Sequence, residues 1–312
     1  MDRILTRYDK KHRRLKINGM FYAALSSGSF GFSPLFTIAL LTAGLTDFDV
    51  LSYRWLVAAV VLIVYSICKR KTLRMSSFDE LWKILLLSFL RAVTSLTLLI
   101  GYANIASGIA STINFMYPVV VAMCMMIFFG EDRSFLNISA IIASIFGVYL
   151  MSSGDGVSIP GGNTKLGLIC SLLSAFTFAA YYIFMKRLKA DKIEVVRFTT
   201  WIMIFCALYF IICAFAIDGK LTFVTEGRSW LYIAGLGLWS TMVSNFTGVK
   251  AVRRIGPTMT SIFGALQPLT AVILGVLFLG ETLNLTAVAG MIIIMAAVVT
   301  VVTHHRSPKA KA

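Results

Sequence analysis

Charge is scarce in this sequence, and acid is scarcer than base. Only 14% of the 312 residues are charged, with 14 Asp and Glu against 29 Lys and Arg. Every acidic residue falls in a tail, a loop or the end of an apolar stretch. The proton relay that intramembrane carboxylates or histidines normally provide therefore has no carrier within these stretches, since His12, His304 and His305 all lie near the termini. The five cysteines (Cys68, Cys124, Cys170, Cys206 and Cys213) show no CxxC spacing, which indicates neither a disulfide framework nor a zinc site. No metal and no cofactor are expected. An intramembrane enzyme needs a nucleophile with its base, or metal ligands, inside the apolar stretches; no HExxH or GxSxG pattern occurs, and the chain reads as a non-enzyme.

Apolar surface is what the chain has in excess. Hydrophobic residues make up 58%, and the mean hydropathy is +0.83. Crossing the hydrocarbon core takes about 20 mostly apolar residues, and such runs recur almost end to end. They lack the period-2 alternation of a transmembrane barrel, so satisfaction of the backbone in lipid requires helices. The runs place spans at 18–43, 48–68, 81–102, 105–129, 134–151, 166–184, 195–217, 230–249, 255–279 and 285–303. The first is too long for a secretory signal peptide and lacks a small-residue cleavage site, so it is expected to be a retained helix.

The net charge of +15 does not point to nucleic acid, because its distribution is one-sided. The N-terminal tail holds Arg3, Arg7, Lys10, Lys11, Arg13, Arg14 and Lys16. Loops on the same side add Lys69, Arg70, Lys71, Arg74, Arg133, Lys186, Arg187, Lys189, Lys192, Lys250, Arg253 and Arg254, and the C-terminal tail adds Arg306, Lys309 and Lys311. Opposite loops hold only Lys165, Lys220 and Arg228. The positive-inside rule then puts both termini in the cytoplasm, and the expected location is a plasma membrane, the inner membrane of a bacterium. Arg54, Lys83, Arg91 and Arg197 remain within or at the lips of spans.

An internal repeat is the most specific signal. A shift of 150 residues superposes Ser111 on Ser261, Pro118 on Pro268, Phe128 on Phe278, Gly130 on Gly280 and Glu131 on Glu281 without a gap. Near the same offset Gly19, Leu25, Ser26 and Phe30 fall on Gly167, Leu173, Ser174 and Phe178. Each copy holds five spans, an odd number, so the second enters the membrane from the opposite side. Inverted repeats of this kind mark secondary transporters, with a site near the midplane between the copies.

These two Pro-x12-Glu units, each followed by a final apolar helix, resemble the EamA-type members of the drug/metabolite transporter (DMT) superfamily over residues 18–303. The resemblance implies an all-α integral membrane protein of ten transmembrane helices, arranged as two inverted five-helix repeats around a central cavity. The divisions are a basic cytoplasmic tail at 1–17, a first repeat at 18–153, an extracytoplasmic linker at 154–165, a second repeat at 166–303 and a basic cytoplasmic tail at 304–312. It also implies transport of amino acids, other metabolites or drugs. One departure is that the first span carries no carboxylate, whereas relatives of the small-multidrug branch that exchange cations for protons depend on a Glu there.

Candidate site residues follow from depth and polarity. Arg91 lies near the middle of the third span, where a charge costs at least a few kcal/mol and must face the protein interior or a wet cavity. Thr94 and Ser95 accompany it, and the 150-residue shift turns the three into Thr241, Ser244 and Asn245, just after Trp239. One reading is a substrate pocket in which Arg91 pairs with an anionic group such as a carboxylate; the other is an arginine bonded to carbonyls of neighbouring helices. Asn114 and Tyr117 before Pro118, and Gln267 before Pro268, add polar contacts at positions where proline loosens a helix. Both prolines are candidate hinges. Ser29, Ser33, Thr177 and Tyr181 are further cavity candidates, although intrahelical hydroxyl bonding explains such residues equally well. Glu131 and Glu281 are expected to cap the helices they precede. Arg54 is expected to snorkel outward or to pair with Asp47 or Asp49.

The expected function is a secondary transporter, an exporter or exchanger, of amino acids or other carboxylate-bearing metabolites by alternating access. A drug, nucleoside or other neutral-metabolite efflux carrier is the alternative within that class, and a membrane scaffold or receptor the alternative outside it. The expected partners are a small-molecule substrate and the lipid bilayer, not nucleic acid, with a homodimer left open.

Overall fold

A computed structural model of the chain describes residues 17–75, 77–128, 135–153, 157–282 and 284–304. Regular structure among them is helical, apart from one isolated antiparallel bridge between Ile105 and Ser158. In chain order the helices are α1 (Ile17–Thr42), α2 (Asp47–Cys68), α3 (Phe78–Asn104), α4 (Ser107–Phe128), α5 (Phe135–Ser152), α6 (Thr164–Arg187) and α7 (Val195–Asp218). Next comes α8, which joins Gly227–Ala234, the wider π turns of Gly235–Val243 and Ser244–Phe263. Then come α9 (Leu266–Phe278) and α10 (Leu285–Thr303). Among the described residues, α1 to α7 and α10 are the eight helices that are long and apolar enough to cross a membrane. The far half of α8 carries Lys250, Arg253 and Arg254, and α9 is shorter.

Local chemistry sets the helix ends. Thr46 and Asp49 form a reciprocal capping box at the start of α2, each side chain accepting the other's backbone N–H at 3.2 Å, an arrangement that satisfies two otherwise orphaned donors. Ser77, Asn163 and Asn284 accept N–H groups at the starts of α3, α6 and α10. Proline sets the interruptions: turns at 31–32, 115–116 and 264–265 precede Pro34, Pro118 and Pro268, since a ring without an N–H cannot continue the ladder. The sequence reading places a break between the eighth and ninth spans at 250–254. Residues 244–263 carry helical backbone, and a further turn at 264–265 falls ahead of Pro268.

Helices approach one another where side chains are absent. A Cβ on Gly290 of α10 would lie 2.5 Å from the carbonyl oxygen of Gly147 on α5, and one on Gly147 would lie 2.9 Å from the carbonyl oxygen of Gly290. Gly101 of α3 faces Ser171 of α6, and Gly108 of α4 faces Val272 of α9. On α1, Ser26 meets Gly248 and Phe36 meets Gly235, both on α8. Small residues at such crossings let backbones come close, which is how helices associate where lipid offers no hydrophobic gain.

Large apolar side chains are left outside. Ile142, Ile145, Phe146 and Tyr149 on α5 and Leu269, Ile273, Val276 and Leu277 on α9 are exposed, a periphery that suits hydrocarbon rather than water. α7 is tied at both ends, to α2 at one and to α3 at the other. At one end Thr46 donates to Asp218 at 2.6 Å, the Thr222 amide donates to Asp49 at 2.9 Å and Tyr53 donates to the Thr222 carbonyl at 2.8 Å. At the other, Arg197 pairs with Glu80 at 2.9 Å, and Trp201 donates to the Leu73 carbonyl at 2.8 Å.

The Gly147/Gly290 crossing gives a direct test. Gly290→Leu forces α5 and α10 apart and is expected to cost on the order of 1–3 kcal/mol, as overpacking typically does, lowering the melting temperature of the detergent-solubilised protein. Gly28→Ala is the control, because its new Cβ meets nothing within 4 Å.

Candidate functional site

Two arginines lie buried between the helices, and both touch one indole. Arg91 of α3 is 8% exposed and Arg54 of α2 4%. Their guanidinium carbons sit 5.8 and 5.6 Å from the centroid of Trp55, itself 1% exposed. Arg91 is further cradled by α6, with its guanidinium 4.6 Å from the Phe178 ring and 6.0 Å from Tyr181. Arg54 lies 5.6 Å from Phe30 of α1.

What these cations lack is an acid. The ion pairs found among the described residues join Lys71 to Glu194, Lys83 to Asp79 and Arg197 to Glu80; none involves Arg54 or Arg91. A guanidinium stays protonated in a protein. Contacts to aromatic faces contribute on the order of 0.5–2 kcal/mol each, which falls short of the several kcal/mol that burying an ion costs. The Trp55 indole N–H adds a buried donor with no hydrogen-bond partner.

Arg54 is oriented by the widened turns of α8. Its Nε donates to the Thr241 hydroxyl at 2.8 Å, and that hydroxyl donates in turn to the Leu236 carbonyl, five residues back, at 2.8 Å. A π turn leaves such a carbonyl in reach of a side chain, and such turns concentrate at functional positions. The expectation that Arg54 snorkels outward or pairs with Asp47 or Asp49 is corrected by this geometry. The Asp49 carboxylate is occupied by the amides of Thr46 and Thr222, and Arg54 points to α8 instead. Its position eight residues into α2 was the signal that could have marked it.

The remaining sequence candidates separate into groups. Tyr181 and Thr241 join Arg91 and Arg54. Thr94 donates to Thr177 at 2.9 Å and Asn114 donates to Ser174 at 2.9 Å, so these line the seam of α3 and α4 with α6. Tyr117 stacks on Tyr182 at 5.2 Å and meets Phe178 edge-on at 4.7 Å, which brings it behind the ring that Arg91 faces. Ser95 is buried one turn beyond Arg91. Asn245 donates to the Thr241 carbonyl at 2.6 Å, and the Ser244 carbonyl accepts from Ser26 at 2.7 Å. Ser29 bonds within its own helix to Ser26 at 3.1 Å. Ser33 is buried, and neither its hydroxyl nor the Gln267 Nε2 finds a partner. Trp239 is exposed and meets Phe32 edge-on at 6.4 Å. Pro118 and Pro268 are buried beside their turns.

Glu281 holds a helix other than the one it precedes. Its Oε1 accepts the Ser107 amide at 2.7 Å, across 174 residues, placing negative charge at the start of α4 where the dipole favours it. Glu131 lies outside the described residues. Among the described residues no group of His, Cys, Asp or Glu is gathered to hold a metal ion.

Thr241→Val deletes the acceptor for Arg54 while keeping shape. The variant is expected to lose about 1–3 kcal/mol, the cost of stranding a buried polar group, read as a lower melting temperature in detergent. Thr241→Ser, which keeps the hydroxyl, is expected to stay near the parent.

Comparison with known proteins gives this geometry its context. The chain is 25% identical over 258 residues to the uncharacterized transporter YdfC of Bacillus subtilis (strain 168), covering 82% of this chain and 81% of that protein. It is 24% identical over 206 residues to the uncharacterized inner membrane transporter YedA of Escherichia coli (strain K12), covering 64% and 63%. A solved crystal structure shares its fold with a TM-score of 0.61 at 13% identity, covering 96% of this chain and 99% of that one. The model of the EamA-like transporter family matches twice, at residues 17–153 and 165–303. The two copies seen in the sequence are thus two EamA units, and the chain belongs to the EamA-like transporter family of the DMT superfamily, a family of multi-pass membrane transporters.

Proposed function

We propose that this transporter is a secondary carrier of carboxylate-bearing organic solutes, working as an exporter or exchanger by alternating access. The observation that carries the reading is Arg91, a buried mid-span cation 4.6 Å from the Phe178 ring, with no acidic partner among the described residues. A solute carboxylate supplies the missing charge, and Tyr181 and Trp55 exclude water around it. Aqueous gradients set the direction of net flux.

Alternating access rests on ten spans in two inverted repeats, with both termini cytoplasmic. Contacts support this arrangement. From Gly248 to Ile255 the partner on α1 moves from Ser26 back to Gly19, whereas Gln267 and Thr270 face Gly31. Such an order requires the chain to double back between Ile255 and Gln267. The packing also pairs α3 with α6, and α1 with α8, in equivalent ways, while α4 with α9 and α5 with α10 pair across the halves. That is the pattern a pseudo-two-fold axis in the membrane plane produces. The breaks before Pro118 and Pro268 are the proposed hinges.

Two measurements test this reading. In proteoliposomes, Arg91→Gln is expected to reduce flux of carboxylate-bearing solutes at least tenfold; parental flux in the variant would refute the role. Impermeant amine labelling of intact cells is expected to reach Lys220 but not Lys71, and labelling of both from one side would overturn the topology.

A further inference from the structure

The second buried arginine bears on which solutes the site takes. The groups that touch the two guanidiniums are Phe30, Trp55, Phe178, Tyr181 and Thr241. None carries a negative charge. Thr241 already gives its oxygen to Arg54 and its proton to Leu236. The indole N–H of Trp55 is one more donor. The site thus offers donors and two fixed positive charges, and no side chain in contact with either charge balances them. Glu281, which lies near Tyr102, is held by the Ser107 amide.

A zwitterionic amino acid fits this poorly. Its carboxylate satisfies one guanidinium, but its ammonium needs an acceptor where the site presents cations. A monoanion leaves one buried charge uncompensated. A solute with two negative charges and acceptor-only oxygens brings the enclosed charge to zero and matches the donors. Both guanidiniums contact the same indole, from Cζ positions 5.6 and 5.8 Å from its centroid, so the two charges flank a single ring.

Building on the carrier reading, we infer that the substrate is a small doubly charged anion, with Arg54 and Arg91 each taking one of its charges. A dicarboxylate and a phosphate monoester share this chemistry. Arg54 acts as the specificity residue that separates dianions from monoanions and zwitterions.

The test uses the purified full-length protein in proteoliposomes at neutral pH, with radiolabelled succinate and radiolabelled glycerol 3-phosphate as separate probes. Whichever probe is transported identifies the dianion. Unlabelled probe is expected to compete at least tenfold more effectively than monomethyl succinate or alanine. Arg54→Gln is expected to bring this preference to within about threefold, following the loss of one charge-assisted contact. Should that variant fail to fold, the parent still decides the matter: the transported dianion raises its melting temperature in detergent and monomethyl succinate does not. Equal competition by monomethyl succinate or alanine, or undiminished preference in Arg54→Gln, overturns the dianion assignment and leaves the carrier reading standing. Transport of alanine with neither probe moved does the same. Absence of flux for every solute refutes the carrier reading, and the dianion assignment falls with it.

Discussion

Two guanidinium groups enclosed by helices, without a carboxylate beside either, are the constraint around which the interior is organised. Water would solvate them at no cost; hydrocarbon would not tolerate them. The protein answers with aromatic faces from α1, α2 and α6 and a single hydroxyl from α8. Each is a partial compensation. The π turns of α8 belong to the same arrangement, since they bring Thr241 within 2.8 Å of Arg54 while letting the hydroxyl satisfy a carbonyl of its own helix.

Around that centre the scaffold divides by chemistry. Glycine and serine govern the crossings of α3 with α6, α4 with α9 and α5 with α10, where a single added methyl would collide. Hydrogen bonds at one end fasten α7 to α2, and an ion pair at the other fastens it to α3. The proline-linked turns interrupt α1, α4 and the stretch between α8 and α9. Rigidity thus resides in the tightly packed and clasped pairs, and backbone freedom where the hydrogen-bond ladder is already incomplete.

The sequence disclosed the repeat and the helical, lipid-facing character of the chain because both rest on long patterns that tertiary contacts do not alter. Arg91 was legible as well, since it sits near the middle of an apolar run and no local acid competes for it. Arg54 was misread because Asp47 and Asp49 lie within two turns of it; only the fold reveals that Thr46 and Thr222 already occupy Asp49. Glu281 was read against the helix that follows it, and no spacing rule points to an amide 174 residues away. The π turns left no trace either, for i to i+5 bonding has no side-chain period of its own. Relations between halves were hidden wherever they depend on which helix a residue meets.

Trp55 has one further property by virtue of its place. Of the five tryptophans it is the one that contacts both buried cations, through the faces of a chromophore whose excited-state dipole responds to nearby charge. On the proposed carrier reading, an anion entering or leaving alters the electric field across that ring. Under that proposal the indole is an intrinsic optical gauge of the site, readable without any attached dye.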